Sequence, residues 1–187
     1  MEVDPIRDVK KIAEIKKFLR ARGERDEVLF VMGINTALRI GDLLSLTIGD
    51  VMDKRGEISR VINLKEQKTG KLKRFPVNES IQKTLSPYLL RRSTSNMLEP
   101  LFLSQKGGTL SRWQAWRILR AAGEFVGLRN VGTHSLRKTF GYHVYKKSGG
   151  DIGLVQKLLN HSASSVTLRY IGIDREMMDN IYLELNL

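Results

Sequence analysis

Tyr170 lies nine residues after His161, and a His134-x-x-Arg137 pair precedes both in the sequence. A phenol close to imidazoles and cations can attack a phosphodiester, because cations favour the phenolate and a base can take its proton. The pair alone could be a solvated helix face, and the chain contains five tyrosines. Residues three apart share one helix face, however, so the imidazole and the guanidinium can converge on one ligand. The pattern predicts covalent chemistry on a phosphodiester.

The composition agrees with a compact protein that binds a polyanion. The chain has 187 residues, of which 41% are hydrophobic, enough for one domain with a core over residues 1–187. Lys and Arg number 32 against 20 acidic residues, and a net charge of +12 most often indicates a nucleic-acid partner. The sequence has no apolar stretch of about 18 to 20 residues and no signal-peptide core at its start, so we expect a cytoplasmic protein with no membrane partner.

The absence of cysteine limits the chemistry of a covalent step. With no thiolate available, the nucleophile must be an oxygen or a nitrogen. The pattern lacks both the carboxylate cluster of metal-dependent nucleases and the Walker-type loop of ATPases, so we expect no metal and no other cofactor.

The elements that must position these residues are mostly helical. Apolar spacing predicts an N-terminal helix over residues 5–22 that ends at Gly23, and then a second helix that begins near Glu24 and is buried over residues 28–38. Arg39 lies at a break before a short helical turn. A β-hairpin is predicted over residues 57–78.

Helical signals return after the hairpin. They begin after Asn78, break around Pro87 and resume after Ser111, a candidate N-cap for a helix in which Trp113 and Trp116 are interpreted as core. Thr133 is the candidate N-cap of the next helix. Further helices are predicted over residues 134–147, 152–159 and 166–170, and a tail helix over 174–187. The fold class is therefore mainly α with a small antiparallel β-sheet.

Several separated segments together resemble the tyrosine recombinase, or phage integrase, family. The segments are Ala37-Leu38-Arg39-Ile40-Gly41-Asp42, Lys68-Thr69-Gly70-Lys71, Thr133-His134-Ser135-Leu136-Arg137, Leu159-Asn160-His161 and Arg169-Tyr170. The resemblance spans most of the chain and implies the family's DNA breaking-rejoining fold. It implies a catalytic set of Arg39, Lys68, His134, Arg137, His161 and the nucleophile Tyr170.

This resemblance implies a role for each member of the set. Arg39 and Arg137 would bind the non-bridging oxygens of the scissile phosphate and stabilise the pentavalent transition state. His134 would be a general base or a phosphate hydrogen-bond donor, His161 a second donor, and Lys68 the general acid on the departing 5′ oxygen. The product would be a 3′-phosphotyrosyl DNA link.

Plainer interpretations stay open at several positions. Arg39 could cap the preceding helix, His161 could be a packed core histidine, and Lys68 could contact only the DNA backbone. Asp42 is interpreted as a carboxylate that supports a catalytic cation, with an ordinary helix-start carboxylate as the alternative. The predicted DNA-binding residues are Lys65, Lys71, Lys73, Arg74 and Arg112.

The resemblance has departures and leaves alternative functions open. Family members usually carry a helical DNA-clamping domain before the catalytic one, and we expect that core-binding domain to be absent here. Ser135 replaces a frequent acidic residue and Asn160 a frequent glycine.

The expected function is a site-specific recombinase of a prokaryote, phage or mobile element, acting in the nucleoid on double-stranded DNA. Self-assembly on paired DNA sites, with exchange of the tail helix between protomers, is a further hypothesis, and packing of that helix on its own domain is the alternative. A topoisomerase IB-like relaxing enzyme and a DNA-binding regulator without turnover are the other candidates.

Overall fold

The computed structural model describes residues 3–53, 55–172 and 182–185. These residues form a mainly helical domain with one two-stranded antiparallel sheet, which confirms the predicted fold class. The helices are α1 (Val9–Arg22), α2 (Glu24–Thr36), α3 (Ile40–Leu44), α4 (Ile48–Val51), α5 (Glu79–Arg92), α6 (Arg112–Phe125), α7 (Thr133–Lys147), α8 (Ile152–Leu159) and α9 (Ser164–Ile171). The strands are β1 (Val61–Lys65) and β2 (Leu72–Pro76).

Helix α2 is the centre of the main core. Its residues from Val28 to Met32 are fully buried, and it packs against α1, α5 and α7. A helix that is apolar on nearly every face must be surrounded by other elements to be stable. The end of α2 is therefore held rigidly, and Arg39 follows it after a short break.

A glycine permits the close approach of α2 and α7. A Cβ atom at Gly33 would lie only 2.4 Å from Leu136 Cδ1, which is closer than packed atoms come. Leu136 directly precedes Arg137 on α7. The contact therefore brings Arg137 towards the end of α2, beside Arg39.

The hairpin pairs β1 with β2 in a register that runs from Val61 opposite Pro76 to Lys65 opposite Leu72. Ile62 and Phe75 face the core, and most of the alternate side chains face solvent. Pro76 ends its strand, where the missing N–H costs no ladder bond. The tip of the hairpin carries Lys68 to the edge of the domain.

Helices α8 and α9 form a C-terminal lobe, residues 152–171, with its own small core. Val155, Leu159 and Ile171 of the lobe pack around Ala37 and the side chains of α7. Gly141 of α7 permits this contact, because a Cβ atom there would lie 2.7 Å from Ile171 Cγ2. The lobe carries His161 and Tyr170.

Several element boundaries differ from the sequence prediction. Helix α2 ends at Thr36, before residue 38. Helix α1 begins at Val9, not at residue 5, because the Asp8 carboxylate caps it by accepting from the Lys10 N–H at 2.7 Å. Gly132, not Thr133, is the N-cap of α7. Helix α5 continues through Pro87, because Leu85 and Tyr88 are buried on either side and their packing outweighs one lost backbone hydrogen bond.

The predicted tail helix over residues 174–187 falls mostly outside the described residues. Within it, residues 182–184 are helical. No helix in the described ranges is both long enough and apolar enough to cross a lipid bilayer.

Candidate active site

A pocket of about 570 Å³ lies where the start of α3, the hairpin turn, the start of α7 and the C-terminal lobe meet. All six predicted catalytic side chains line it. They are Arg39, Lys68, His134, Arg137, His161 and Tyr170. The fold thus brings together groups from four separate segments of the chain, and Asp42 and Arg112 also line the pocket.

Arg39 is held by an ion pair and does not cap α2. Helix α2 ends at Ala37, which has a left-handed backbone with φ of 56°. Arg39 itself is extended at the N-cap position of α3, and its Nη1 donates to Glu66 Oε1 at 2.9 Å. The side chain is 28% exposed, so the guanidinium reaches both the buried carboxylate and the pocket.

Arg137 is the buried cation of the pocket. Its guanidinium donates to the carbonyl oxygens of Ala37 and Leu159, which end α2 and α8 respectively. Burial lowers the pKa of Arg137, but a guanidinium remains charged at any pH at which the protein is folded. One side chain thus joins the central helix to the C-terminal lobe and supplies a fixed positive charge.

His134 lies in the first turn of α7, exposed at the rim of the pocket. Its pKa is below the usual value near 6.5, because nearby protein removes water from the ring and because Lys138 and Arg137 repel a further positive charge. The imidazole is therefore neutral at pH 7. A neutral imidazole can accept a proton, as a general base must.

His161 follows α8 and is also neutral. Its Nδ1 lies 3.1 Å from Thr167 Oγ1, which fixes the ring orientation. Burial, together with the charges of Arg137 and Arg39, lowers the pKa of His161 to about 4. The ring is only partly buried and lines the pocket, so it is not a packed core histidine.

Tyr170 lies on α9 with its ring edge-on to the imidazole of His161. The ring centroids are 4.9 Å apart and the planes meet at 80°, and Lys138 Nζ lies 5.6 Å from the tyrosine ring centroid. Burial raises the pKa of Tyr170, whereas the charges of Arg137 and Arg39 and a hydrogen bond from Arg137 act in the opposite direction. The phenol is therefore protonated in the free protein and must lose its proton during attack.

The predicted DNA-binding cations do not all occupy the same kind of position. Lys65, Lys71, Arg74 and Arg112 are exposed. Lys73 is turned inward instead, since its Nζ donates to the carbonyl oxygens of Ala37 and Leu158, each at 3.2 Å. The strand places its side chain against the end of α2 and the lobe, and the DNA contact predicted for Lys73 stays a prediction.

Burial lowers the pKa of Lys73 to about 8, and the charge of Arg137 adds to this effect. Sequence reasoning placed Lys73 among the surface cations because it is one of several basic residues in the hairpin. In the structure Lys73 shares its strand face with buried Phe75, whereas Leu72 and Arg74 on the other face are exposed. The apolar side chain at Leu72 hid this direction from the sequence pattern.

Glu66 is a functional candidate that sequence reasoning missed. The side chain is 2% exposed and accepts from Arg39, from Thr69 Oγ1 at 2.6 Å and from Asn160 Nδ2 at 3.4 Å. The available signal was an acidic residue within an otherwise basic hairpin.

Asp42 supports the hairpin turn, and its negative charge also acts to raise the pKa of Arg137. It is 2% exposed, and its Oδ1 accepts from the backbone N–H of Gln67 at 2.8 Å. Gln67 precedes Lys68, so this bond fixes the turn at the pocket edge. The other oxygen, Oδ2, is buried without a hydrogen-bond partner among the described residues.

The interpretation of Trp113 as helix core is wrong. Its side chain is 62% exposed, and the guanidinium carbon of Arg117 lies 4.9 Å from its ring centroid. Trp116 is half-buried beneath Arg120 at 5.2 Å. The apolar face of α6 is instead supplied by smaller residues such as Ala115 and Leu119, which are fully buried.

The part of the chain that the structure describes holds no group of three or more His, Cys, Asp and Glu side chains placed to bind a metal ion. The groups around the pocket are cationic or neutral, apart from the buried carboxylates of Asp42 and Glu66. Such a set suits an anionic ligand such as a phosphate, through charge-assisted hydrogen bonds.

Known structures share this fold. The chain superposes on the XerA recombinase with a TM-score of 0.75 at 24% identity, over 98% of this chain and 66% of that one. It matches the XerH site-specific recombinase bound to its difH substrate with a TM-score of 0.71 at 22% identity, over 97% of this chain and 53% of that one. The fold is therefore that of tyrosine recombinase catalytic domains.

Sequence relatives agree. The chain is 43% identical over 177 residues to a probable integrase/recombinase, YoeC, of Bacillus subtilis (strain 168), covering 93% of this chain and 92% of that protein. It is 32% identical over 158 residues to the tyrosine recombinase XerC of Roseiflexus castenholzii, covering 81% of this chain and 48% of that protein. The chain thus spans nearly all of YoeC but about half the length of the Xer recombinases it matches. The sequence model of the phage integrase family matches residues 7–177, and this chain belongs to that family.

Proposed function

We propose that this chain is the catalytic domain of a site-specific recombinase that cuts and rejoins duplex DNA through a covalent link to Tyr170. The observation that carries the proposal is the pocket itself. Two arginines, two neutral histidines, a lysine and a tyrosine, drawn from four separate segments, all line it.

The reaction follows from the chemistry of these groups. Arg39 and Arg137 hold the non-bridging oxygens of one phosphodiester in place by charge-assisted hydrogen bonds. The phenolic oxygen of Tyr170 attacks the phosphorus and forms a new P–O bond as the bond to the 5′ oxygen breaks. The phenolic proton passes to a base, and a second proton is delivered to the 5′ oxygen, so that charge does not accumulate on either oxygen.

His134 is the base in this proposal and Lys68 the acid. The lowered pKa of His134 leaves its imidazole unprotonated at pH 7, as a base requires. Lys68 reaches the pocket from the hairpin turn, where an ammonium can donate a proton to the leaving oxygen. His161 supplies a further polar contact to the phosphate.

The two arginines stabilise charge that develops on the phosphate oxygens. Removing one preorganised donor of this kind costs about 3 kcal/mol in the barrier. The guanidinium of Arg137 is buried, so water weakens its attraction for an anion less than it would at an exposed site. It therefore stabilises the transition state strongly, because negative charge increases on the phosphate oxygens there. These cations also favour the phenolate of Tyr170, against the effect of burial.

The proposed reaction needs neither metal nor ATP. One phosphodiester is exchanged for another, so the bond energy is retained in the phosphotyrosyl link. A DNA 5′-hydroxyl can then attack that link and reverse the step, which rejoins the strand.

The exposed cations beside the pocket would bind the DNA backbone. Lys65, Lys71, Arg74 and Arg112 are exposed in the hairpin and at the start of α6, close to the proposed catalytic groups. Lys and Arg bind phosphates without reading sequence. The net charge of +12 supports this partner. A role in the cytoplasm of a prokaryote, or of a cell carrying a phage or mobile element, is consistent with the relatives named above.

Assembly of several copies on paired DNA sites is part of the proposal. The support is indirect: the XerH structure was solved on a palindromic DNA substrate. A palindrome presents two equivalent half-sites, which suit two copies of one protein. An increase in the number of protomers per duplex with the number of half-sites, measured by mass photometry, tests this point.

A nicked suicide duplex tests the catalytic proposal. A pool of duplexes with randomised cores, each nicked close to the core so that the short fragment carrying the released 5′-hydroxyl diffuses away after cleavage, is incubated with the protein in EDTA. We expect a DNA–protein adduct that survives denaturation, and its loss in Tyr170→Phe with DNA binding retained. Binding without any adduct would instead favour a DNA-binding regulator, and relaxation of supercoils without exchange of partner strands would favour a topoisomerase.

A further inference from the structure

A buried carboxylate lies beneath the two pocket arginines. Glu66 is at the end of β1 and only 2% exposed, yet it makes three polar contacts. They are with Arg39 at 2.9 Å, with the Thr69 hydroxyl at 2.6 Å and with the Asn160 amide at 3.4 Å. The contacts come from the α2–α3 break, the hairpin turn and the end of α8, so one side chain joins three segments of the site.

Glu66 is ionised at neutral pH. Burial by itself would raise the pKa of its carboxyl group, but the Thr69 hydrogen bond and the charges of Arg39 and Lys73 outweigh burial, and the pKa is lowered. A buried charge is retained only where partners compensate for its lost hydration. The carboxylate and its cations therefore depend on one another, and removal of one charge leaves the remaining buried charges without compensation.

Lys73 completes the set from the next strand. Its ammonium bonds to the carbonyl oxygen of Leu158, one helical residue before the end of α8, and to that of Ala37 at the end of α2. Lys73 thus contacts the same two helix ends to which Arg137 donates. Glu66 in turn helps to keep Lys73 charged.

These contacts connect the hairpin to the C-terminal lobe. The lobe has its own small apolar core against α7, separate from the main core. The hairpin reaches it through polar bonds, from Lys73 to the Leu158 carbonyl and from Asn160 to Glu66. Because Asn160 adjoins His161 and the lobe carries Tyr170, these bonds bear on the position of the nucleophile.

We propose that Glu66 is a positioning residue for strand cleavage: it orients the Arg39 guanidinium towards the scissile phosphate and, with Lys73, holds the C-terminal lobe at the hairpin. This inference rests on the proposed recombinase function. Glu66 does not touch DNA, because it is buried beneath the pocket. Its effect therefore passes through Arg39 and Tyr170.

Glu66→Gln should slow cleavage without weakening DNA binding. The substitution keeps the size of the side chain and removes one negative charge close to the phosphate site. Binding should be unchanged or tighter, because the local potential becomes more positive. Cleavage should slow, because Arg39 loses its ion-pair partner. A residue that only stabilised the fold would weaken both.

The experiment measures single-turnover cleavage and affinity on a duplex that the wild-type protein cleaves. For Glu66→Gln we expect a rate roughly 10- to 100-fold lower, as for other residues that orient a functional side chain, with a dissociation constant equal to or below that of the wild type. Glu79→Gln is the matched control: it makes the same change in charge at an exposed site on α5 and should leave both quantities unaltered.

The pH dependence gives a second readout that a purely structural role would not change. Glu66 raises the pKa of Lys73 against the effects of burial and Arg137. We expect the wild-type cleavage rate to fall in alkali as Lys73, with its pKa of about 8, loses its proton and its hold on the lobe weakens. In Glu66→Gln this fall should move towards neutrality, because Lys73 loses its proton at lower pH. If the variant does not fold, Glu66→Asp replaces it. The shorter carboxylate keeps the charge but cannot reach Arg39 and Asn160 together. Slow cleavage with unchanged binding is again expected.

Cleavage by Glu66→Gln within twofold of the wild-type rate, with the same pH profile, would overturn the inference. So would a parallel loss of binding and cleavage, and for Glu66→Asp a wild-type rate. Failure of the proposed function itself is a separate result: the wild-type protein then forms no covalent adduct on any duplex.

Discussion

Burial, together with the charges of nearby cations, keeps the two pocket histidines neutral. For both His134 and His161 the pKa is below its ordinary value near 6.5, and that of His161 is about 4. A histidine with a lowered pKa stays largely unprotonated until the pH falls below its ordinary value. An unprotonated imidazole that can act as a base is therefore available throughout the neutral pH range.

This predicts the acid limb of the pH–rate profile. We expect the second-order rate constant for cleavage, measured with enzyme in excess over dilute DNA at constant ionic strength, to stay level from pH 7 down to below 6.5. That rate constant reports on groups in the free protein. A half-maximal rate at or above pH 6.5 would contradict the neutral histidines that we infer.

Lys73 makes a prediction about stability. Its pKa of about 8 in the folded protein lies below the unfolded value near 10.5, so between these values the unfolded chain binds more protons. The burial of its charge therefore destabilises the fold most fully below pH 8, and the penalty is relieved as pH rises towards 10.5. In Lys73→Met the penalty is absent.

The difference between the two proteins should therefore depend on pH. Between pH 8 and 10.5 the unfolding free energy of the wild type should gain on that of Lys73→Met by up to about 1 kcal/mol per pH unit. Urea unfolding at several pH values measures this difference. A constant difference in unfolding free energy between the two proteins across this pH range would show that the pKa of Lys73 is not lowered in the folded protein. The variant should also cleave more slowly, because its side chain cannot bind the Leu158 carbonyl.

Among the elements, the contact between α7 and the C-terminal lobe sets where Tyr170 lies. Gly141 has no room for a side chain, since a Cβ atom would lie 2.7 Å from Ile171 Cγ2 and 3.1 Å from Leu159 Cδ1. Both neighbours belong to the small core of the lobe. A methyl group there must move the lobe relative to α7, which carries His134 and Arg137.

We expect Gly141→Ala to slow cleavage at least tenfold and to destabilise the fold by about 1 to 3 kcal/mol, as overpacking does. DNA affinity should change little, because the exposed cations of the hairpin are remote from this contact. Single-turnover cleavage and thermal unfolding measure the two effects. Gly108→Ala is the control, since no atom lies within 4 Å of a Cβ there. Wild-type cleavage by Gly141→Ala would mean that the lobe position does not limit the chemistry.

Local signals were sufficient to predict most elements from the sequence. The Ser111 N-cap, the hairpin and the helix over residues 152–159 depend on neighbouring residues and were confirmed. Pro87 was misjudged, because the packing that keeps α5 continuous comes from residues distant in sequence. Trp113 was misjudged for the same reason, since the spacing of apolar residues along α6 did not show which face of the helix is exposed to solvent.

The candidate site was predictable where it resembled a known family and not elsewhere. The six predicted catalytic positions came from the family resemblance, and the structure places all of them around one pocket. The contacts of Glu66 and the inward direction of Lys73 arise where the hairpin packs against the ends of α2 and α8. No short pattern encodes that packing.

On the scale of the whole molecule, the net charge of +12 predicts DNA binding that weakens steeply with salt. Each phosphate contact contributes about −0.9 to the slope of log affinity against log salt concentration on duplex DNA. Fluorescence anisotropy with a labelled duplex over a range of salt concentrations gives this slope.

Lys71→Gln should reduce the magnitude of the slope by about 0.9, because it removes one exposed cation of the hairpin tip. Lys83→Gln is the control, since Lys83 lies on α5 and pairs with Glu79 at 2.6 Å. Equal slopes for the wild type and Lys71→Gln would place the hairpin tip away from the DNA backbone.

The identity of the nucleophile is tested most directly by mapping the covalent adduct. The trapped complex is digested with nuclease and trypsin, and the peptides are sequenced by mass spectrometry. We predict a nucleotide joined through its 3′ phosphate to Tyr170, in the peptide that follows Arg169, and no modified peptide from Tyr170→Phe. A nucleotide on any of the other four tyrosines, or one joined through a 5′ phosphate, would contradict the mechanism.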